Sequence, residues 1–301
     1  MVLKCASCDA VGLEERAEAW VCAACGHAYP IVGGVPRFVP ADAYAESFGF
    51  QWTRFARTQL DSANGTTRSR DTFVEKTGWS LAELAGTCVL DVGCGMGRFA
   101  EIAADAGAEV YGIDLSRAVE AAHDNLGSRP NVHLFQADVM HLPFVPESFD
   151  FIYSIGVLHH TPDTRAAFRR LPALLKPGGR ITIWVYSTEV KLRGSEWLRT
   201  VTPSIPQRWL LAACRVAIPM YHVHRLPGIG RVTCVAMPTS LNEDPEWRWL
   251  DTFDWYAPTY QWKHTFEEVE AWFADAGLDG IRRLEFPVAV TATRPTGPTR
   301  P

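Results

Sequence analysis

Three carboxylates and a run of glycines carry the first chemical signal. Asp91 precedes Gly93-Cys94-Gly95-Met96-Gly97, and Asp114 follows Asp91 by 23 positions. Asp138 comes later still, after a third apolar run. Glycines in such a run allow positive φ and a close approach of backbone to a ligand. An acid at the position of Asp114 can accept hydrogen bonds from both hydroxyls of a ribose. Three acids at one sheet edge would repel a pyrophosphate and attract a cationic ligand. The second signal is two cysteine knuckles, Cys5-x2-Cys8 and Cys22-x2-Cys25, thirteen residues apart. That spacing matches a four-thiolate structural zinc ribbon, which closes a segment too small to hold a core of its own. A redox pair or chance cysteines is the alternative. His27 is read as a surface residue, because four thiolates already suffice. Cys88, Cys94, Cys214 and Cys234 are scattered and read as small buried hydrophobes. The third signal is the pair His159-His160. An imidazole titrates near neutrality, which suits a general base; packing or bonding the loop is the other reading.

These side chains need elements to hold them. Residues 88–92 read as a buried strand, 93–97 as a tight loop and 96–106 as a helix. Strands follow at 109–114, 132–137 (ending in Asp138), 149–154 and 180–186. Helices fall between them, at 118–126, where Ser116 can cap, and at about 163–175. Residues 176–179, Lys-Pro-Gly-Gly, read as a turn into the strand at 180–186. The alternation predicts a parallel sheet with helices on both faces, and in such a sheet the ligand sits outside the carboxyl ends of the strands.

The expected organisation is a ribbon module over 1–39, with a Gly33-Gly34 hairpin, and a helical aromatic cover over 40–86. The ligand-binding core spans 87–187 and a proline-rich helical lid 188–264. The last helix and two final strands, about 281–286 and 288–293, fall in 265–294, and a frayed tail in 295–301. Thr265 and Glu268 form a capping box at the start of that helix. Gln51 and Trp52 in the cover, with Tyr256, Tyr260, Gln261, Lys263 and His264 around the lid, supply donors and acceptors in an aromatic frame. They are candidates for substrate contact, with ordinary packing as the alternative.

The chain has 301 residues, is 47% hydrophobic and carries a formal net charge of −5. That is enough apolar content for a sizeable core, and the acidic balance disfavours bulk electrostatic binding of nucleic acid. No membrane span and no N-terminal leader pattern is read, so the expected setting is the cytoplasm, where thiols stay reduced.

The motifs Val89-Leu90-Asp91-Val92-Gly93-Cys94-Gly95-Met96-Gly97, Gly112-Ile113-Asp114-Leu115-Ser116, Gln136-Ala137-Asp138 and Leu174-Leu175-Lys176-Pro177-Gly178-Gly179 resemble those of class I S-adenosylmethionine-dependent methyltransferases. The segment 149–160 is similar to the one that carries the fourth strand and the methyl-transfer site. The resemblance covers about residues 80–187. It implies a Rossmann-like sheet of seven strands, mostly parallel with the last antiparallel, and S-adenosylmethionine as cofactor. It places the glycines at the methionine moiety, Asp114 at the ribose and Asp138 at the adenine amino group. Asp91, Gly93, Cys94, Gly95, Gly97, Leu115, Val139 and Ser154 join that cofactor set, with Arg70 as a partner for the cofactor carboxylate. The ribbon and its continuation 29–38 resemble the small zinc module fused to, or partnering with, some methyltransferases. The reading is a methyltransferase acting on a small or medium, partly apolar metabolite, with the methylated atom and the oligomeric state open. RNA or protein as acceptor, and a non-catalytic cofactor-binding chain, are the alternatives.

Overall fold

The computed structural model describes residues 2–39, 46–189 and 193–297. Parts of the expected cover (40–45), lid (190–192) and tail (298–301) lie outside the described residues. The chain forms two compact units, Met1–Ser187 with Trp262–Pro301, and Thr188–Gln261.

The first unit opens with a four-stranded antiparallel sheet. Its strands are β1 (Leu13–Arg16), β2 (Ala19–Cys22), β3 (Ala28–Val32) and β4 (Val35–Pro36). Gly33 and Gly34 turn β3 into β4, pairing Val32 with Val35. Three helices follow, α1 (Glu46–Arg54), α2 (Asp61–Asn64) and α3 (Arg68–Thr77). The main sheet then runs through β5 (Cys88–Val92), α4 (Arg98–Asp105), β6 (Glu109–Asp114), α5 (Ala118–Leu126), β7 (Val132–Gln136), β8 (Phe149–Ile155), α6 (Thr164–Phe168) and β9 (Leu175–Trp184). After the second unit come α12 (Phe266–Asp275), β10 (Asp279–Arg283) and β11 (Ala289–Thr293).

The seven strands lie in the order β10-β11-β9-β8-β5-β6-β7. β5 to β9 pair in parallel, and β11 runs antiparallel to both its neighbours. The chain therefore reverses direction of travel across the sheet between β5 and β8, the switch point where such sheets open a crevice. Apolar helix faces cover both sides. On one, Ala100, Ala103, Val119 and Ala122 pack with Phe73 and Trp79. On the other, Phe168, Val269, Trp272 and Phe273 pack on β8, β9 and β11. Each fully buried large side chain there contributes roughly 1.5–3 kcal/mol.

Three expectations from the sequence differ from the structure. The helix expected at 163–175 stops at Phe168, and a single 3₁₀ turn, Pro172–Leu174, follows; the proline cannot continue the ladder. Residues 176–179 are not a turn but part of β9, which shifts register between the Phe149–Leu175 and Phe151–Arg180 pairs. Gly178 sits at φ +79 and its N–H donates to Arg294 O, while Arg294 N–H donates to Gly179 O. The bulge is closed by a residue more than a hundred positions away. The final strands also start earlier and later than read, at Asp279 and Ala289.

The second unit contains α7 (Arg193–Leu198), α8 (Gln207–Cys214), α9 (Ala217–His224), α10 (Ile229–Ala236) and α11 (Pro245–Tyr256). Asp244 caps α11 by accepting from Trp247 N–H at 2.7 Å.

The small sheet is fixed to the outer edge of the large one. Phe38 N–H donates to Gln136 O at 2.7 Å, and Arg37 forms a parallel bridge to Gln136 on edge strand β7. The buried Arg37 guanidinium donates to Gln136 Oε1 at 3.0 Å, Val32 O at 3.1 Å and Glu120 Oε1 at 2.9 Å. Replacing it removes the donors to Gln136 Oε1 and Val32 O, while Glu120 keeps Arg117. Arg37→Ala is expected to lower the unfolding free energy by about 2–3 kcal/mol in urea titrations, with no change in far-UV circular dichroism at neutral pH.

Candidate functional site

The glycine loop begins where β5 ends. Gly93 and Cys94 N–H both donate to Ile113 O at 2.8 Å, which bends the loop towards β6. Gly93 has φ +82, and a Cβ there would sit 2.3 Å from the Val157 side chain, so nothing larger fits. At Gly95, φ is +55 and a Cβ would meet the Trp52 indole at 3.3 Å. Helix α1 thus lays Trp52 against the loop. It is itself tied in by Asn125, whose side-chain amide donates to Ala56 O and Met96 O.

Asp114, at the end of β6, holds the loop. Its Oδ2 accepts from Gly95 N–H at 2.9 Å, and its Oδ1 accepts from Ser116 N–H and Oγ–H at 2.8 and 2.7 Å. Burial pushes this carboxyl above its ordinary range and these donors oppose the shift. Oδ1 thus accepts twice, and Oδ2, which accepts once, keeps lone-pair capacity for a further donor. Asp138 follows β7, is part-exposed and accepts from Met140 N–H at 2.9 Å. Leu115 supplies its carbonyl to Gln136 Nε2, and Val139 is buried. Asp114 and Asp138 therefore stand at the carboxyl ends of neighbouring strands.

Asp91 does not join them at the surface, as the sequence reading had it. Strand pairing continues past it to Val92–Ile113, so the side chain is held inside the sheet, 2% exposed. Its Oδ2 has no hydrogen-bond partner, and neither does the neighbouring Tyr153 hydroxyl. Burial raises the Asp91 carboxyl from 3.8 to about 8, helped by the charge of Asp114 and opposed by Tyr153. Asp91 is therefore mostly protonated at neutral pH. Cys94 is also buried, and burial with the Asp91 and Asp114 charges lifts its thiol well above the ordinary value; it is no nucleophile. Ser154 is buried and donates to Val92 O at 3.0 Å, joining β8 to β5.

The histidine pair lies after β8, in the 3₁₀ turn Leu158–His160. His159 is fully buried, and neither ring nitrogen has a partner. Burial, with His160 adding to it, holds it well below the usual imidazole range, so it is neutral. It stacks on Tyr186 at 3.9 Å and lies 4.1 Å from His160, centroid to centroid. Trp184, at the end of β9, completes the group. The Lys76 ammonium sits 3.2 Å from its ring centroid and 4.7 Å from that of Phe286. Gly156 is tight against Trp184, where a Cβ would come within 3.0 Å.

The other candidates are dispersed. Gln51 is buried beside Trp52. Arg70 is exposed on α3, with its backbone N–H on Asp61. Lys263 is part-buried, and His264 bonds Thr164 and Glu268 at the start of α12. Tyr256, Tyr260 and Gln261 belong to the second unit, and the Tyr256 hydroxyl donates to Pro238 O at 2.6 Å within it. The sequence reading passed over Lys76, Trp184 and Tyr186. The only signal they give is a position at a strand end or on a helix that the sheet order brings alongside.

The four thiols of Cys5, Cys8, Cys22 and Cys25 lie within 4.8 Å of one another, with Cys5–Cys25 and Cys8–Cys22 each at 3.7 Å. A tetrahedron with Zn–S near 2.3 Å has edges of about 3.8 Å, so the set can hold one zinc ion. The Tyr29 hydroxyl lies 3.1 Å from Cys5 Sγ. None of the eight cysteines is in a disulfide.

A glycine elbow tied to an acid on the next strand, a second acid beside it and a single antiparallel strand in this order define a Rossmann-like fold of the class I methyltransferase type. Residues 90–183 match the family model for a methyltransferase domain. Methyltransferase GfsG of Streptomyces halstedii is 40% identical over 116 residues, 37% of this chain and 40% of that protein. O-methyltransferase cnsE of Penicillium expansum is 38% identical over 118 residues, covering 38% and 43%. Demethylmenaquinone methyltransferase of Staphylococcus aureus (strain JH9) is 28% identical over 212 residues, covering 69% and 74%. The chain thus spans under half the length of the first two relatives.

Because folded Asp91 keeps a proton that the unfolded chain loses near its ordinary value, its effect on stability is full below about pH 4. It declines as pH rises towards about 8. Asp91→Asn removes that decline. The stability difference between Asp91→Asn and the parent, from denaturant midpoints, is expected to shift in favour of the variant as pH rises, by at most about 1.4 kcal/mol per pH unit.

Proposed function

We propose that the chain is an S-adenosylmethionine-dependent methyltransferase acting on a small or medium, partly apolar metabolite. The observation that carries this reading is the Asp114 carboxylate, held between Gly95 and Ser116 at the end of β6 with acceptor capacity to spare. The cofactor fits the residues present. The loop glycines Gly93, Gly95 and Gly97 sit at positive φ, and Asp91 Oδ2 is a buried acceptor without a partner beside them. Gly93, Cys94, Gly95 and Gly97 would lie along the methionine moiety. Asp114 would accept from the ribose hydroxyls, and Asp138 from the adenine amino group, with Leu115 and Val139 as apolar neighbours. When bound, the cofactor supplies an activated methyl group on a sulfonium.

This chain's residues then have to place an acceptor and keep water away. The aromatic group at the ends of β8 and β9 supports an apolar acceptor surface. Tyr186 and Trp184 are its part-exposed members, and His159 and His160 are buried behind them. A neutral His159 held below its usual range is a poor base for an acceptor of high pKa. It suits orientation of a hydroxyl or amine better than removal of its proton. The O-methyltransferase and demethylmenaquinone methyltransferase names among the relatives are compatible with a small-molecule acceptor. We further propose that Cys5, Cys8, Cys22 and Cys25 hold one structural zinc.

Calorimetric titration with S-adenosylhomocysteine is expected to give saturable binding, weakened about tenfold or more by Asp114→Ala through loss of charge-assisted hydrogen bonds. Unchanged affinity would remove Asp114 from the site. Incubation with methyl-labelled cofactor and a metabolite extract is expected to yield labelled product, whereas a purely binding chain would yield none. Elemental analysis is expected to find about one zinc per chain, lost in Cys22→Ser.

A further inference from the structure

The second unit is uneven in charge. Between Trp197 and Asn242 its sequence has five arginines, at 199, 208, 215, 225 and 231, and neither Asp nor Glu, in a chain of net charge −5. The same stretch exposes large apolar side chains. On α10, Ile229, Val232 and Val235 are 55%, 68% and 58% exposed at spacings of three, which puts them along one stripe. The opposite side of α10 is committed to the unit itself. Gly230 lies so close to α9 that a Cβ would meet His224 O at 2.1 Å, and Thr233 Oγ1 meets His224 Nδ1 at 2.9 Å. The stripe thus cannot turn inward. Exposed Arg231 lies on α10 itself, and exposed Arg225, which bonds the Tyr221 hydroxyl, and Leu226 precede the helix. Helix α8 repeats the composition. There Trp209 is 61% exposed with the Arg208 guanidinium 5.5 Å from its ring, and exposed Val216 and Arg215 follow.

Each half of this pattern narrows the partner. A protein partner would have to meet the aliphatic stripe with an apolar face and the arginines with an acidic rim. A nucleic acid would use the arginines but offers nothing to branched aliphatic side chains. A surface of anionic headgroups over acyl chains satisfies both. No helix among the described residues is long and apolar enough to cross a membrane. We propose that α10, with Arg225 and Arg231, docks this chain on an anionic lipid bilayer surface, with Ile229, Val232 and Val235 at the level of the headgroup–acyl boundary. The proposal stands whether or not the chain transfers methyl groups.

The test is co-sedimentation of the full chain with vesicles of phosphatidylcholine alone and of phosphatidylcholine mixed with phosphatidylglycerol. Binding is expected to the mixed vesicles only, and to weaken steeply as salt is raised. Val232→Glu, and separately the double variant Arg225→Ala with Arg231→Ala, are each expected to lower partitioning about tenfold or more. Unaltered circular dichroism and thermal melts would show that each variant folds. Val232→Ser serves if the glutamate variant does not, with a smaller loss in the same direction. Absence of binding to mixed vesicles, or binding that survives both variants, would overturn the proposal. So would a parent dimer that ignores vesicles and that Val232→Glu turns into monomer, which would make the stripe an interface between copies. Retention of mixed-sequence RNA, lost in the arginine variants, without vesicle binding would likewise overturn it.

Discussion

The contact between Gly95 and Asp114 is what the rest of the site rests on. A backbone N–H from the loop after β5 meets a carboxylate at the end of β6, and Ser116 holds the other oxygen of that carboxylate. This tie extends to Gly95 the hold that Ile113 O already has on Gly93 and Cys94. A charge on Asp91 would raise the cost of charging Asp114. Burial lifts Asp91 to about 8, and it lifts Asp114 too, against three donors that favour the charged form. Two acids that share one elbow thus differ in hydrogen bonding, Asp114 meeting three donors and Asp91 Oδ2 none. At the ends of β8 and β9 the stacked aromatic residues likewise surround a neutral His159.

Much of this was legible in the sequence because the core strands are short apolar runs ended by acids or glycines. Parallel pairing through Val92–Ile113 and Asp114–Gln136 sets those ends at one edge. The alternation of strand and helix, the glycine loop and the four-thiol cluster are all local patterns. What the sequence hid depends on distant partners. Lys176–Gly179 has the composition of a turn, yet Arg294 accepts and donates across it and the strand runs on. Asp91 looks like a strand-end acid, but one more paired residue buries it. Lys76 over Trp184 joins residues that no spacing rule connects. Arg37 was invisible for the same reason, since its partner Gln136 lies 99 positions on.

The helical unit illustrates a further limit. Its prolines and aromatic residues read as a lid, and both of those properties describe packing. Tyr256 turns out to spend its hydroxyl on Pro238 within the unit. The side chains that packing leaves over, Ile229, Val232 and Val235, were unremarkable in the sequence, because exposure is not written in residue type.

The docking of the small antiparallel sheet on β7 has a consequence for the chain's behaviour in solution. β7 is the last strand on its side, and the Arg37–Gln136 bridge and the Phe38–Gln136 hydrogen bond occupy part of its outer rim. A bare rim of that kind is a template on which other chains assemble. The four thiols that close the small sheet stand far along the sequence from β7, yet anything that opens their cluster loosens the guard on that rim. If the thiols hold the zinc proposed above, its removal would bear on that rim before it reached the interior of the large sheet.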